Sequence, residues 1–492
     1  MAIDITLVHP LFISKDPVEQ QIMTPYFPLG LMYLGAVLRQ QGYVVEMFDC
    51  AFRRDYAEFE HYMRQVRPPI VGITSLITVR RHALILADIA HRYGATVILG
   101  GPDPTGIPER YLFHQSGGDE FPVDIVVFDE AEATIRELAD HLFGRRDSVR
   151  SLGDIAGLRL RGADGQAIAT APRPLIADLD ALPFPARDLV DFDSYRDAWR
   201  RAHGYWSLSM INTRGCPYAC AWCQKAVFGR TFRSRSAANS AEEMRLIKEA
   251  YQPNQLRIVD DITGVRKQWV SHWRDEVLAR DAALPFECLS RVNLATDEML
   301  SALKDMGCKK IYFGAESGSQ EVLDAMNKGT KIPQIYRAAT LCKRLDIETY
   351  FFMMVGYPGE EWADLQLSVK MLRETLPDTF STTIAYPLPG TPFYEQVRDR
   401  LMFESDWTFD WDYTAENKLL FQRDRYNTLF YRWVIKWFRK EWEDAWLQRR
   451  RSIPVLKRWR IKAGLWLSRL MVYLLAHSPG STTIRFQPAE GR

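Results

Sequence analysis

The feature that most constrains this chain is a rhythm that runs through it twice. A short apolar run is followed by a turn, then by apolar residues at helical spacing, then by the next short run. Up to about residue 145 the runs are "DITLVHP", "YVVEMFD", "IVGITSL", "TVILGG" and "VDIVVFD". Between and after them lie "PLGLMYLGAVLRQQG", a helical pattern near 57–66, "HALILADIAHRYG" and "EATIRELADHLFG". Strand patterns that alternate with helical ones predict parallel strands joined by crossover helices, hence an α/β, doubly wound sheet. Ligands on such sheets sit beyond the carboxyl ends of the strands. The turns there are therefore candidate binding positions: Thr74 and Ser75, Gly100-Gly101-Pro102, and Asp129 to Glu132.

The rhythm breaks over 148–204, where "IAGLRLRGADGQAIATAP" predicts a hairpin and "LDALPFPARDLVDF" is punctuated by prolines. That section reads as a linker between domains, leaving 1–147 as the first domain. The rhythm resumes over 205–400, with strands expected near Leu208–Asn212, Leu256–Val259, Phe286–Arg291, Lys310–Gly314, Thr349–Val355 and Thr382–Tyr386. Six βα units predict a partial (β/α)6 barrel of the TIM type, with chemistry at the carboxyl ends of its strands. The remainder, 401–492, is aromatic and basic and much of it can be helical. Between Arg423 and Lys462 it carries 13 Lys/Arg against 4 Asp/Glu.

The first strand of the second series runs directly into "TRGCPYACAWCQK", which spaces Cys216, Cys220 and Cys223 as C-x3-C-x2-C. Thiolates are soft ligands, suited to zinc and iron–sulfur clusters. A structural zinc site takes four ligands. Cys50, Cys288, Cys308 and Cys342 stand singly in strand or helix patterns and read as small buried apolar residues. His272, a conceivable remote fourth ligand, has no neighbour at ligand spacing. Three thiolates can hold three corners of a [4Fe–4S] cube and leave the fourth iron open.

Seven cysteines in 492 residues, three of them together, exclude a secreted disulfide framework. A net charge of +1 gives no global field for nucleic acid. "MAIDITLVHP" lacks the pattern of a signal peptide, and the most apolar stretch, "AGLWLSRLMVYLLA", is short and carries Arg469. The expectation is a cytoplasmic protein with no nucleic-acid partner.

"CPYACAWC", with Trp222 just before its last cysteine, resembles the cysteine motif of the radical S-adenosylmethionine (SAM) superfamily. The resemblance continues in order through "VDDITG", "CLSRVNL", "IYFGAESGS", "MNKGT", "MMVGYPGE" and "YPLPGTPFY". It implies that the amino and carboxylate groups of SAM chelate the open iron. On the matching positions, Asp260 or Asp261 would accept from the amino group. Arg291 would hold the carboxylate with its bidentate fork, Glu316 would take the ribose hydroxyls, and Gly356 would let the "GYPGE" loop approach the adenine. The alternative for each polar residue is an ion pair or helix cap at the barrel mouth.

The first section is similar to the cobalamin-binding domain of B12-dependent radical SAM proteins, in "FPLGLMYLGAVLRQQGY", "GITSL", "ILGGP" and the connecting "LDALPFPARDLV". The resemblance implies that Ser75, Gly100 and Gly101 receive the nucleotide tail of cobalamin. Two departures stand out. No D-x-H-x-x-G follows the first strand, so no histidine is in place for cobalt, and His9 reads as a capping or packed residue. Asp129 and Ala131 occupy positions where that family often has glycine, which would narrow the site.

The resemblance implies reductive cleavage of SAM to a 5′-deoxyadenosyl radical, which attacks an unactivated carbon of a small-molecule substrate. An electron donor of the flavodoxin or ferredoxin type would reduce the cluster. With cobalamin on the same cavity the outcome would be methylation. The alternative within the class is a cyclisation or rearrangement, as in the anaerobic magnesium-protoporphyrin ester cyclase, whose C-terminal region is similarly basic and aromatic. Trp433, Trp437, Trp442 and Trp446 would suit a flat substrate or peripheral membrane contact, unless they pack on the barrel. A different class, the non-catalytic cobalamin sensor or electron carrier, has no use for an open iron.

Overall fold

The five runs of the first series are strands because each is buried on both faces: Ile5, Leu7 and Val8 are all inaccessible to solvent. In the computed structural model, which describes residues 2–115, 121–145, 151–225, 227–401, 421–423, 425–449 and 454–477, they form β1 (Ile5–His9), β2 (Val45–Asp49), β3 (Ile70–Thr74), β4 (Thr96–Gly100) and β5 (Ile125–Val127). These five are parallel, in the order β2-β1-β3-β4-β5. Successive residues supply opposite faces. Ile5 and Leu7 pack with Leu31, Leu38, Ile135 and Leu138, from the helices Leu29–Gln40 and Glu132–Leu142. Val8, Val71 and Val97 pack with Phe59, Met63 and Leu84, from the helices Ala57–Val66 and Arg80–Arg92. The sheet is thus doubly wound, and its strand order reverses between β1 and β3, where such sheets bind ligands.

The expected hairpin forms as β6 (Leu158–Arg161) and β7 (Ala167–Ala169), but it is not part of a free linker. It adds antiparallel to β5, so the first sheet has seven strands. Leu158 is fully buried in the core under the helix Glu132–Leu142. The hairpin also covers the edge that β5 would otherwise leave unpaired.

The second series begins with β8 (Ser207–Met210), then a two-stranded ribbon of β9 (Thr213–Arg214) and β10 (Arg233–Ser234). There follow β11 (Gln255–Ile258), β12 (Phe286–Ser290), β13 (Cys308–Glu316), β14 (Glu348–Val355) and β15 (Thr379–Ile384). β15 begins before the expected Thr382, because Thr379 already pairs with Tyr350. The six long strands are parallel in the order β15-β14-β13-β12-β11-β8, and the end strands do not pair with each other. The result is an open, partial barrel with helices on its outside. Its core is continuous with residues of the first section: Phe27, Met32 and Tyr33 join Trp206, Leu208 and Met244 in one apolar cluster.

Beyond the barrel the helix Thr428–Gln448 buries Phe430, Val434 and Phe438 against the helix Trp362–Thr375 and β15. Two of its tryptophans serve packing. Trp437 stacks on Trp362 at 5.2 Å, and Trp442 donates its Nε1–H to the Pro377 carbonyl at 2.9 Å. The last helix, Val455–His477, lies on this one. Among the described residues no helix is long and apolar enough to cross a membrane. The helical expectation over 402–420, 450–453 and 478–492 falls outside the described residues.

Candidate active site

The cysteine loop is anchored from all sides before any ligand is considered. Gly215 adopts φ +82°, and a Cβ there would strike the Thr231 carbonyl, so only glycine lets the ribbon turn into the loop. At the carboxyl end of β11, Asp260 Oδ1 accepts the N–H groups of Asn212 (2.6 Å) and Thr213 (3.0 Å). Asp261 Oδ2 accepts the Gly215 N–H at 2.9 Å. Asn327 Nδ2 donates to the Ala219 carbonyl (2.9 Å), and Lys225 Nζ to the Cys216 carbonyl (3.1 Å). Cys220 is buried, Cys216 half-buried, and Cys223 exposed toward the adjoining cavity.

No group of three or more His, Cys, Asp or Glu among the described residues converges closely enough for one metal ion. A cuboidal cluster asks for something else, because it holds each thiolate on a separate iron. Cys50, Cys288, Cys308 and Cys342 are buried. Burial pushes the Cys308 thiol well above its ordinary range, with Cys288 and Cys342 adding to it, as suits inert apolar packing.

Arg291 reaches the loop itself. Its Nη1 lies 3.3 Å from Cys220 Sγ, its guanidinium stacks 3.7 Å from the Tyr218 ring centroid, and its other nitrogens donate to Asn293 and to the Lys328 carbonyl. Glu316, at φ +61° on the end of β13, accepts from Lys328 Nζ at 2.8 Å with both groups buried. Lys328 Nζ in turn sits 5.0 Å above the Trp222 ring. Arg291, Glu316, Trp222 and the cysteine loop are therefore one contiguous group. Lys328 joins this group although its place in "MNKGT" carries no charge partner legible in sequence. Asp260 Oδ2 is buried with no hydrogen-bond partner among the described residues. Burial raises that carboxyl to about 7, against the pull of the Asn212 and Thr213 N–H groups and of the Thr213 hydroxyl. An orphaned buried carboxylate oxygen is a place where a donor fits.

Gly356 is placed differently from the others. Its N–H donates to Glu360 Oε2 at 2.6 Å, its carbonyl accepts from Arg423 Nε at 3.2 Å, and a Cβ would meet Arg423 and Tyr431. It lines a separate small cavity of about 110 Å³ under the C-terminal segment. Burial drives the Glu360 carboxyl up to about 8 and the Arg423 guanidinium down to about 10.

A cavity of about 660 Å³ lies between the two sheets. On one side it is lined by strand ends of the first sheet, including His9, Thr74, Gly100 and Gly101. On the other it is lined by Cys216, Cys223, Gln224 and Asp261. Ser75 is not among its lining residues. It is fully buried, and its hydroxyl pairs with Tyr111 at 2.8 Å, next to the Arg80–Asp103 ion pair. Ser75 instead shapes the wall, because its backbone leaves no room for a Cβ on Gly101, at φ +108°. His9 is packed: Nδ1 bonds Asp49 at 2.9 Å, and Asp49 also takes the Tyr195 hydroxyl at 2.6 Å. Asp129 and Ala131 both line the cavity. Asp129 adopts φ +59°, a conformation that favours glycine.

Two glutamates of the same turn make a clamp that sequence reasoning did not find. Arg214, two residues before Cys216, donates to Glu130 at 2.9 Å and to Glu132 at 2.5 Å. Arg233, on the paired strand of the ribbon, donates to Glu130 at 2.6 Å. The turn after β5 is thus tied to the base of the cysteine loop.

Comparison with known proteins finds family models for both halves of the chain. Residues 210–372 match the Radical SAM superfamily model, and residues 20–139 match the B12 binding domain model. The chain is 28% identical, over 80% of its length and 83% of the other's, to an uncharacterized methyltransferase of Pyrococcus horikoshii. It is 24% identical, over 81% of its length and 70% of the other's, to the anaerobic magnesium-protoporphyrin IX monomethyl ester cyclase of Rubrivivax gelatinosus. In fold it is similar to the cobalamin-dependent SAM radical enzyme OxsB solved with aqua-cobalamin and SAM, with a TM-score of 0.74 at 16% identity, covering 98% of this chain and 74% of that one. It is also similar to the radical SAM methyltransferase TsrM of Kitasatospora setae, solved with cobalamin and a [4Fe–4S] cluster. There the TM-score is 0.66 at 20% identity, covering 81% of this chain and 75% of that one.

Proposed function

The chain is a radical SAM protein with a B12-binding domain, and from that premise we propose that it is a methyltransferase acting on an unactivated carbon of a small molecule. The observation that carries this reading is the single cavity of about 660 Å³, onto which the strand ends of the first sheet and the cysteine loop both open. Groups bound at its two ends share one space, as a transfer between them requires. The similarity to proteins named as methyltransferases supports it.

A [4Fe–4S] cluster with SAM supplies a 5′-deoxyadenosyl radical when bound, and cobalamin supplies a methyl group. The residues present fit these groups. Cys216, Cys220 and Cys223 offer three soft donors on a loop whose backbone is already fixed. Arg291, against Cys220 Sγ, sets a permanent cation where a carboxylate beside the cluster would lie. The unpartnered Oδ2 of Asp260 suits a cationic amino group. Asp261, on the cavity wall, holds the loop through the Gly215 N–H. Glu316 would take ribose hydroxyls, with Lys328 holding its carboxylate in place, and Trp222 would close the far side. Gly356, whose N–H and carbonyl are taken by Glu360 and Arg423 beneath the C-terminal segment, would shape the neighbouring loop rather than bond the adenine itself. Gly100 and Gly101 would let the nucleotide end of cobalamin approach the first sheet, with Ser75 supporting them from behind. A flavodoxin- or ferredoxin-type donor would deliver the electron.

The cyclase relatives support a second reading, ring closure on a similar radical. Anaerobic reconstitution with cobalamin, a chemical reductant such as dithionite and methyl-labelled SAM separates the two. The expected result is both 5′-deoxyadenosine and S-adenosylhomocysteine, with label on protein-bound methylcobalamin. Cleavage of SAM that leaves cobalamin unlabelled would refute methyl transfer and favour the cyclase. Cys220→Ala should lose the iron–sulfur absorbance and all 5′-deoxyadenosine.

A further inference from the structure

The helix Val455–His477 has two apolar faces, and among the described residues only one of them is covered. Ile461, Leu465, Ser468 and Val472 are buried against the helix Thr428–Gln448. With 3.6 residues per turn the opposite face is made by Leu456, Trp459, Trp466, Leu470, Tyr473 and Leu474. Leu456, Trp459 and Trp466 are 74%, 72% and 67% exposed. Among the described residues, eight of the fifteen exposed large apolar side chains belong to this one helix. A stripe of that kind on a free surface marks a contact site.

The charges identify the partner. The helix has no acidic residue. Arg458 and Lys462 flank the stripe on one side, Lys457 and Arg460 on the other, and none of the four has an ion-pair partner among the described residues. Arg469 is occupied by Glu441 at 2.6 Å. A second copy paired through this face would set these cations against themselves, with no carboxylate on either helix to meet them. An apolar stripe with tryptophan and tyrosine, bordered on both flanks by Lys and Arg, matches the boundary between acyl chains and anionic headgroups. Beside it lies a groove lined by Trp362, Lys370, Trp466 and Tyr473 together with Glu374 and Glu441, and Glu441 is neutralised there by Arg373 and Arg469.

We propose that the helix Val455–His477 docks the protein on anionic phospholipid membranes, lying in the interface through its outward face. The proposal does not depend on the methyltransferase reading.

The test is flotation of the full reconstituted chain with vesicles of phosphatidylcholine alone, or mixed with phosphatidylglycerol. The chain should float with the anionic vesicles only, and high salt should release it. Trp459→Glu with Trp466→Glu should lower the bound fraction about tenfold, with the melting temperature and 5′-deoxyadenosine formation unchanged. Lys457→Glu with Arg458→Glu and Arg460→Glu should remove the preference for anionic lipid. The proposal is overturned if the wild-type chain stays behind with anionic vesicles, or if the double variant floats as well as wild type. It is equally overturned if the double variant converts a stable dimer to monomer, which would assign the stripe to a second copy.

Discussion

Arg214→Leu is the substitution whose outcome the structure constrains most tightly. The Arg214 side chain is 5% exposed and meets Glu130 and Glu132, which are 2% and 8% exposed. Removing the guanidinium affects the two carboxylates unequally. Glu130 keeps Arg233 at 2.6 Å and the Ile176 N–H at 2.7 Å. Glu132 has no other hydrogen-bond or ion-pair partner among the described residues, so it becomes a buried, unpaired charge. Breaking one such pair costs about 3–5 kcal/mol. The lost stacking over Tyr33 and Phe228, at 5.3 and 5.1 Å, adds about 1 kcal/mol. Leucine returns part of this through its own burial, so the expected net loss is about 3–4 kcal/mol. Urea unfolding at neutral pH, followed by circular dichroism, measures it. Adding Glu132→Gln should recover more than half of the loss, because it removes the unpaired charge rather than any contact with leucine. The clamp also joins the turn after β5 to the base of the cysteine loop. The single variant should therefore lose label transfer to cobalamin more severely than it loses SAM cleavage. A variant within about 1 kcal/mol of wild type, or a double variant with no recovery, would refute the assignment of a buried charge clamp.

Lys328→Met leaves Glu316 buried without its cation and removes the charge above Trp222; a loss of about 3 kcal/mol is expected, together with weaker SAM binding by isothermal titration. Gly101→Ala forces a side chain into φ +108° and to 2.7 Å from the Ser75 carbonyl; it should cost about 1–3 kcal/mol and reduce the cobalamin retained per chain after desalting. Glu360 is raised to about 8 by burial, so the folded state holds its proton where the unfolded chain has released it. Its share of stability is whole below the unfolded value, falls as pH rises and is gone above about pH 8. Glu360→Gln should flatten that slope, so its melting temperature should exceed wild type by a margin that grows from pH 5 to pH 8; a constant margin would contradict burial as the cause of the raised value.

Much of this protein was legible in the chain because the relevant signals are local. A strand that is buried on both faces reads as a continuous apolar run, and a helix on a sheet reads as a 3.6-residue period. The two α/β series, and the site-bearing turns that follow their strands, emerged from those periods. So did the open-iron proposal, since three cysteines within eight residues cannot help being neighbours. What depended on packing was not legible. The hairpin at 158–169 reads as part of a linker until β5 presents an edge for it to complete. Ser75 and Thr74 are adjacent in sequence, and only the burial of Tyr111 decides that one faces the wall and the other the cavity. Arg214 is one arginine among many until Glu130 and Glu132, more than eighty residues earlier, are folded against it. Arg423 comes to lie over Gly356 in the same way. Periodicity and turn chemistry act over a few residues, so the sequence by itself determined the elements and the cysteine loop. Burial and charge pairing act between elements, so only the tertiary structure decided that two sheets open onto one cavity and which side chains close it.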